Sequence, residues 1–231
     1  MMTCTAMAAL AVAATAPAGP RPAVVELFTS QGCNSCPPAD ALLGELSARG
    51  DVLALAFHVD YWDQLGWRDR FALPQSAQRQ SRYARRLGLA SVYTPQMVID
   101  GRDDVIGSNR ARVSKLLATP RTGIAMTAIA RGHELLVSVD AAPGASPCDV
   151  LVISYLPEAV TAIGRGENAG RTLREFNVVR SIRTVGTWNA TAAQWRVALD
   201  TLPADARSVA VLVQERATAA IVGATRLSLQ P

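Results

Sequence analysis

Two cysteines, Cys33 and Cys36, stand two residues apart and are followed at once by Pro37 and Pro38. A pair at this spacing can work as a dithiol and disulfide: one thiolate attacks a substrate disulfide and the other resolves the mixed disulfide. The prolines put the pair at the start of a helix, where first-turn N–H groups lack partners and proline loses nothing. Those free N–H groups and the positive end of the helix favour thiolate over thiol. Asn34 and Ser35 add no charge but can donate hydrogen bonds to it. The plainer reading is a structural disulfide or an inert pair.

A second group follows an apolar run. His58, with Asp60 and Asp63 behind it, is a candidate acid–base residue. It is also an alternative metal ligand, since two cysteines and a histidine suit Zn(II) or Cu(I). A histidine hydrogen-bonded to a carboxylate is the bland alternative, and without a second spaced ligand pair no metal is expected. Tyr61, Trp62 and Trp67 share a glycine-containing loop with three aspartates. They read as a wall facing a substrate, or simply as core aromatics. Arg79, Arg82 and Arg86 fall on one helical face, which usually means a solvated face with local ion pairs. The stretch Gly166 to Arg171 is a ligand loop or a tight turn. Cys148 has no visible partner and is expected to be buried and inert, or to pair between chains.

The elements that must position these groups are legible in the apolar pattern. Val24 to Phe28 reads as a buried strand and Val52 to Val59 as a second one, buried on both faces. Between them Ala39, Leu42, Leu43 and Leu46 recur at helical spacing up to Gly50. Gln75 to Leu87 reads as a helix closed by Gly88. Two short strands flank the Asp100-Gly101 turn, and a last helix runs from Ser108 or Asn109 to Leu117, stopped by Pro120. The order over Val24 to Ala118 is β-α-β-α-β-β-α. From Gly123 on, seven short β-prone runs separated by Gly, Pro, Asn and Asp suggest a small antiparallel sandwich or barrel. An irregular loop spans Ile163 to Glu175.

With 231 residues, 49% hydrophobic and 18% charged, the chain can bury a core. Its net charge of +4 is spread out, and every basic residue but Lys115 is arginine, so nucleic acid is not an expected partner. Residues 1–20 read as a signal peptide or disordered leader, with an apolar Ala6 to Ala16 run and small residues at cleavage spacing. Cys4 would leave with it. The protein is then periplasmic or secreted, where disulfides persist. No membrane span is expected in the mature chain. No glycine-rich nucleotide fingerprint precedes a helix, so no organic cofactor is expected.

This element order, with the cysteine pair at the first helix and Thr94-Pro95 opening the third strand, resembles the thioredoxin fold. The stretches Glu26–Asp40, His58–Asp63, Tyr93–Gln96, Gly166–Arg171 and Asn177–Arg180 together resemble a bacterial family of secreted thioredoxin-like proteins of unknown function. The resemblance implies an α/β thioredoxin-like domain over 21–121, followed by a small, mostly antiparallel, sandwich-like β unit over 122–231 packed on it. It implies that Cys33 is the more exposed, attacking cysteine and Cys36 the resolving one. Thr94-Pro95 becomes a cis-proline loop that receives the partner's extended chain. Glu26 becomes the buried carboxylate serving the proton of Cys36, with a structural arginine partner as the other reading. The expected activity is a thiol–disulfide oxidoreductase acting on protein thiols or disulfides. The alternatives are a metal-binding or metallochaperone module using Cys33, Cys36 and His58, and a non-enzymatic binding protein with a structural disulfide.

Overall fold

The structure, a computed structural model, describes residues 18–229. Most of the expected leader, with Cys4, lies outside the described residues. In chain order the elements are β1 (Gly19–Arg21), β2 (Ala23–Thr29), α1 (Pro37–Ser47), β3 (Val52–His58), α2 (Pro74–Leu87), β4 (Gln96–Ile99), β5 (Asp103–Ile106), α3 (Arg110–Leu117), β6 (Arg121–Gly123), β7 (Met126–Arg131), β8 (Glu134–Val139), β9 (Cys148–Ala162), β10 (Thr172–Trp188), β11 (Ala193–Ala198), β12 (Ser208–Glu215) and β13 (Ile221–Ser228).

The local grammar follows from residue type. Every residue of β2 and of β3 is buried, as strands covered on both faces must be. The two run parallel, in register from Ala23 opposite Val52 to Thr29 opposite His58. On one face Val24, Phe28, Leu53, Leu55 and Phe57 meet Tyr83 of α2. On the other, Val25, Leu27, Ala54 and Ala56 meet Leu42, Leu43 and Leu46 of α1 and Val113 of α3. Each such Leu or Phe contributes about 1.5–3 kcal/mol by leaving water. Both α1 and α2 begin on proline, and α2 ends at Gly88 in the left-handed conformation.

The expected class, an α/β thioredoxin-like domain followed by a small, mostly antiparallel β unit packed on it, is overturned: the structure is mostly β. Strands hold 44% of the structure and helices 17%. Eight strands drawn from both halves of the chain form one mixed sheet, in the order β13-β12-β9-β10-β3-β2-β4-β5. The seam is a parallel bridge between Val178 of β10 and Ala56 of β3. An open edge on β3 would leave unpaired N–H and C=O groups in the interior, and β10 covers it. The Asn177 side chain adds a hydrogen bond to the Ala54 carbonyl at 2.8 Å. A three-stranded sheet, β11-β8-β7, packs over β9 and β12 through Leu135, Val137, Val150 and Val211. The strands β9 and β10 are 15 and 17 residues long, far beyond the short runs expected there. Register shifts at Val179/Ser181 and Thr184/Gly186 let β10 bend and continue.

Candidate functional site

At the C-terminal end of β2 the chain turns through Ser30 to Asn34 into α1. Cys33 and Cys36 are joined in a disulfide, with Cα atoms 5.4 Å apart. Cys36 occupies the N-cap of α1 and offers no side-chain cap to the free N–H groups. The Cys33 sulfur lies 3.3 Å from the Ser35 hydroxyl. Both cysteines are 0% exposed, so Cys33 is not the open member of the pair that was expected. The reason is the turn joining β9 to β10. Asn168 donates from Nδ2 to the carbonyls of Gln31 (2.9 Å) and Cys33 (3.0 Å), and the Asn34 N–H donates to Glu167 at 3.2 Å. Gly166 sits in the left-handed region, and a Cβ there would come within 3.0 Å of the Trp67 Cβ. Trp67 in turn donates from its indole to Gln31 Oε1 at 3.0 Å.

Behind the disulfide lies a buried polar cluster. His58, the last residue of β3, faces the α1 side. Its Nδ1 is 2.7 Å from Asp69 Oδ2, and its Nε2 stands 3.8 Å from Glu175 of β10 without a hydrogen-bond partner. Asp69 also accepts from the backbone N–H groups of Gln31 and Phe71. Gln31 Nε2 donates to Glu175 and to Thr161. Asp40, in the first turn of α1, accepts from the Thr29 hydroxyl at 2.8 Å. Burial pushes Asp40 up to about 7, against the pull of the His58 charge and the Thr29 hydrogen bond. Burial alone would lower His58. The charge and hydrogen bond of Asp69, with the charges of Glu175 and Asp40, outweigh it and raise the imidazole to about 9. Burial likewise tends to raise Asp69, but the His58 charge and its hydrogen bonds hold it below the ordinary carboxylate range. Glu175 is raised by burial.

The structure brings the other named residues to different places. Trp62 lies against the cysteine loop: a Cβ on Gly32 would lie 3.2 Å from its own Cβ, and its indole donates to Thr94 Oγ1 at 2.9 Å. It thus bridges the cysteine loop and the Thr94-Pro95 peptide, which is cis. Pro95 is buried against the first turn of α1, since it and Ala39 would both crowd a Cβ on Gly107 at 3.1 Å. Tyr61 is half-buried and donates to Gln80 at 3.2 Å. Glu26 takes the second of its two readings, the partner of an arginine. It shares the α2 face of β2 with Val24 and Phe28, and its oxygens accept from Arg79 Nε (2.7 Å) and the Tyr83 hydroxyl. Arg79, expected on a solvated face, is buried there, and Gln214 accepts its NH1 at 3.0 Å. Among the described residues no three His, Cys, Asp or Glu side chains form a group able to hold a metal ion. Cys33 and Cys36, two members of the alternative set with His58, are here joined to each other in the disulfide. No described helix is long and apolar enough to cross a membrane.

A family model described as "Protein of unknown function (DUF1223)" matches residues 24–214. The chain belongs to that family. A crystal structure of a protein from Agrobacterium tumefaciens, solved as a structural genomics target, is 32% identical to this DUF1223 chain. It has a TM-score of 0.79 and is aligned over 92% of this chain and 96% of its own. HBP35 of Porphyromonas gingivalis, at 14% identity, shares the fold with a TM-score of 0.60, over 91% of this chain and 76% of its own. No curated protein gives a significant match.

Sequence reasoning missed Gln31, Asp40, Asp69, Asn168 and Glu175. One of them carried a local signal. Asp40 interrupts the apolar face Ala39, Leu42, Leu43, Leu46, four residues after Cys36. Asn168 lay within the Gly166 to Arg171 stretch, which marked a loop without saying what it covers, and Glu175 carried no signal.

Proposed function

We propose that this DUF1223 protein exchanges disulfides with other proteins, in the periplasm or outside the cell, through Cys33 and Cys36. One observation carries the reading: the two cysteines are paired at the N-terminus of α1, directly above a buried cluster that includes a carboxyl titrating near neutrality. A helix start stabilises a thiolate, and exchange needs a proton carrier at the resolving sulfur. Cys33 attacks and Cys36 resolves. Tyr61, Trp62 and the Thr94-Pro95 peptide form the wall along which the partner's chain lies. Trp67 and the Asn168 loop cover the disulfide until the partner arrives. The apolar leader supports export, into a compartment where such a disulfide persists.

The burial of both sulfurs favours one second reading, a structural disulfide in a binding protein. One experiment separates the two. The protein is equilibrated with glutathione or dithiothreitol buffers, free thiols are mass-tagged, and insulin reduction is followed in parallel. A potential between about −120 and −270 mV, with turnover lost in Cys33→Ser, fits an exchange catalyst. A potential below about −300 mV without turnover refutes exchange and leaves the structural disulfide.

A further inference from the structure

Glu26 cannot serve the proton of Cys36, because both its oxygens are bound by Arg79 and Tyr83 on the far face of the sheet. We propose that Asp40 is the base that takes this proton when Cys36 resolves a mixed disulfide, and that the cleft between α1 and β10 is the proton's way to water. The inference rests on the exchange reading above and names the group that completes it.

Geometry carries it. Asp40 follows Cys36 by four residues, and its N–H bonds the Cys36 carbonyl at 3.1 Å. Residues so related lie one above the other on a helix, with Cβ atoms about 5–6 Å apart. Thr29 occupies Oδ1, and among the described residues no hydrogen bond is made to Oδ2. A cleft of about 550 Å³, lined by Pro37, Gly44, Leu173 and Phe176, reaches Asp40 from the surface. The charged groups facing Asp40 come from three elements: His58 at the end of β3, Asp69 in the following loop and Glu175 of β10. Glu45 and Arg174 stand at the cleft wall. The His58 cation, fixed by Asp69, offsets the cost of charging Asp40 in the interior. The resulting range near 7 is where a general base works best at neutral pH.

In the mixed disulfide Cys33 Sγ is bonded to the partner's sulfur. The Cys36 thiol gives its proton to Asp40, and the thiolate attacks Cys33 Sγ. The Cys33–Cys36 bond forms as the Cys33–partner bond breaks, and that bond's electron pair leaves on the partner as a thiolate. The partner disulfide has gained two electrons and the Cys33/Cys36 dithiol has lost them. Asp40 then passes its proton to water in the cleft.

The test uses the reduced full chain carrying Cys4→Ser and Cys148→Ser, so that Cys33 and Cys36 are its two thiols, and 5,5′-dithiobis(2-nitrobenzoate), which releases one coloured thiolate when Cys33 attacks and a second when Cys36 resolves. Asp40→Asn keeps the size and the Thr29 contact. It should leave the first phase unchanged and slow the second about tenfold or more at pH 7. The pH at which the second phase rises should move from near neutrality toward the free thiol range of about 8.5. A second phase with wild-type rate and pH profile overturns the assignment while exchange stands. A wild-type chain with no first phase, or one kept in Cys33→Ser, defeats the exchange reading and this one with it. Should Asp40→Asn not fold, the Asp40 carboxyl of the wild type is titrated by carbon-13 NMR in both redox states. Its midpoint should differ between them, and identical midpoints overturn the proposal.

Discussion

Removing the Asn168 side chain should open the way to the disulfide. Its Nδ2 makes two hydrogen bonds, to the carbonyls of Gln31 and Cys33, and the residue is 1% exposed. A typical internal hydrogen bond is worth about 0.5–1.5 kcal/mol net, so Asn168→Ala removes roughly 1–3 kcal/mol from the closed loop. With tenfold per 1.4 kcal/mol, the open fraction rises roughly 5- to 150-fold. If opening is fast relative to attack, the rate of reduction rises by the same factor. The assay is the pseudo-first-order rate of disulfide reduction by dithiothreitol, followed by mass-tagging, with the melting temperature measured alongside. Glu167→Gln, which weakens a single contact to the Asn34 N–H, should give a smaller acceleration. Reduction of Asn168→Ala at the wild-type rate would refute the reasoning. The cysteines would then be reached by a route that does not pass under this loop.

Two other substitutions separate the clusters on the two faces of the sheet. Glu26→Gln leaves Arg79 charged, buried and without its carboxylate, which should cost about 3–5 kcal/mol in urea unfolding. Both thiol phases should run at wild-type rates in that variant, and a selective loss of the second would return Glu26 to the chemistry. His58 titrates in the opposite sense to a salt-bridged carboxylate. Its folded value, about 9, lies above the ordinary 6.5, so its stabilisation is complete below pH 6.5 and lost as pH rises through 9. Wild-type stability should therefore fall across that window by on the order of 3 kcal/mol. His58→Gln should flatten the fall, and an unchanged slope would mean that His58 is neutral in the folded protein.

Much of this architecture is written locally. The cysteine spacing and the two prolines set the helix start, and the apolar runs of β2 and β3 set a parallel pair buried on both faces. The Asp100-Gly101 turn was equally legible. The long hairpin was not legible. Its bulges break the alternation by which strands are recognised, and its glycine-bearing tip looks like any other turn.

By itself, then, the sequence determined the short-range elements, because strand and helix patterns depend on neighbours two to four residues away. Only the tertiary structure decided what the cysteines face. Asn168 meets Cys33 from 135 residues away, and Glu175 meets Gln31 from 144. Those meetings follow from the sheet edge of β3 needing a partner and from buried polar groups needing one another, and both are demands of the packed interior that no local stretch of chain records.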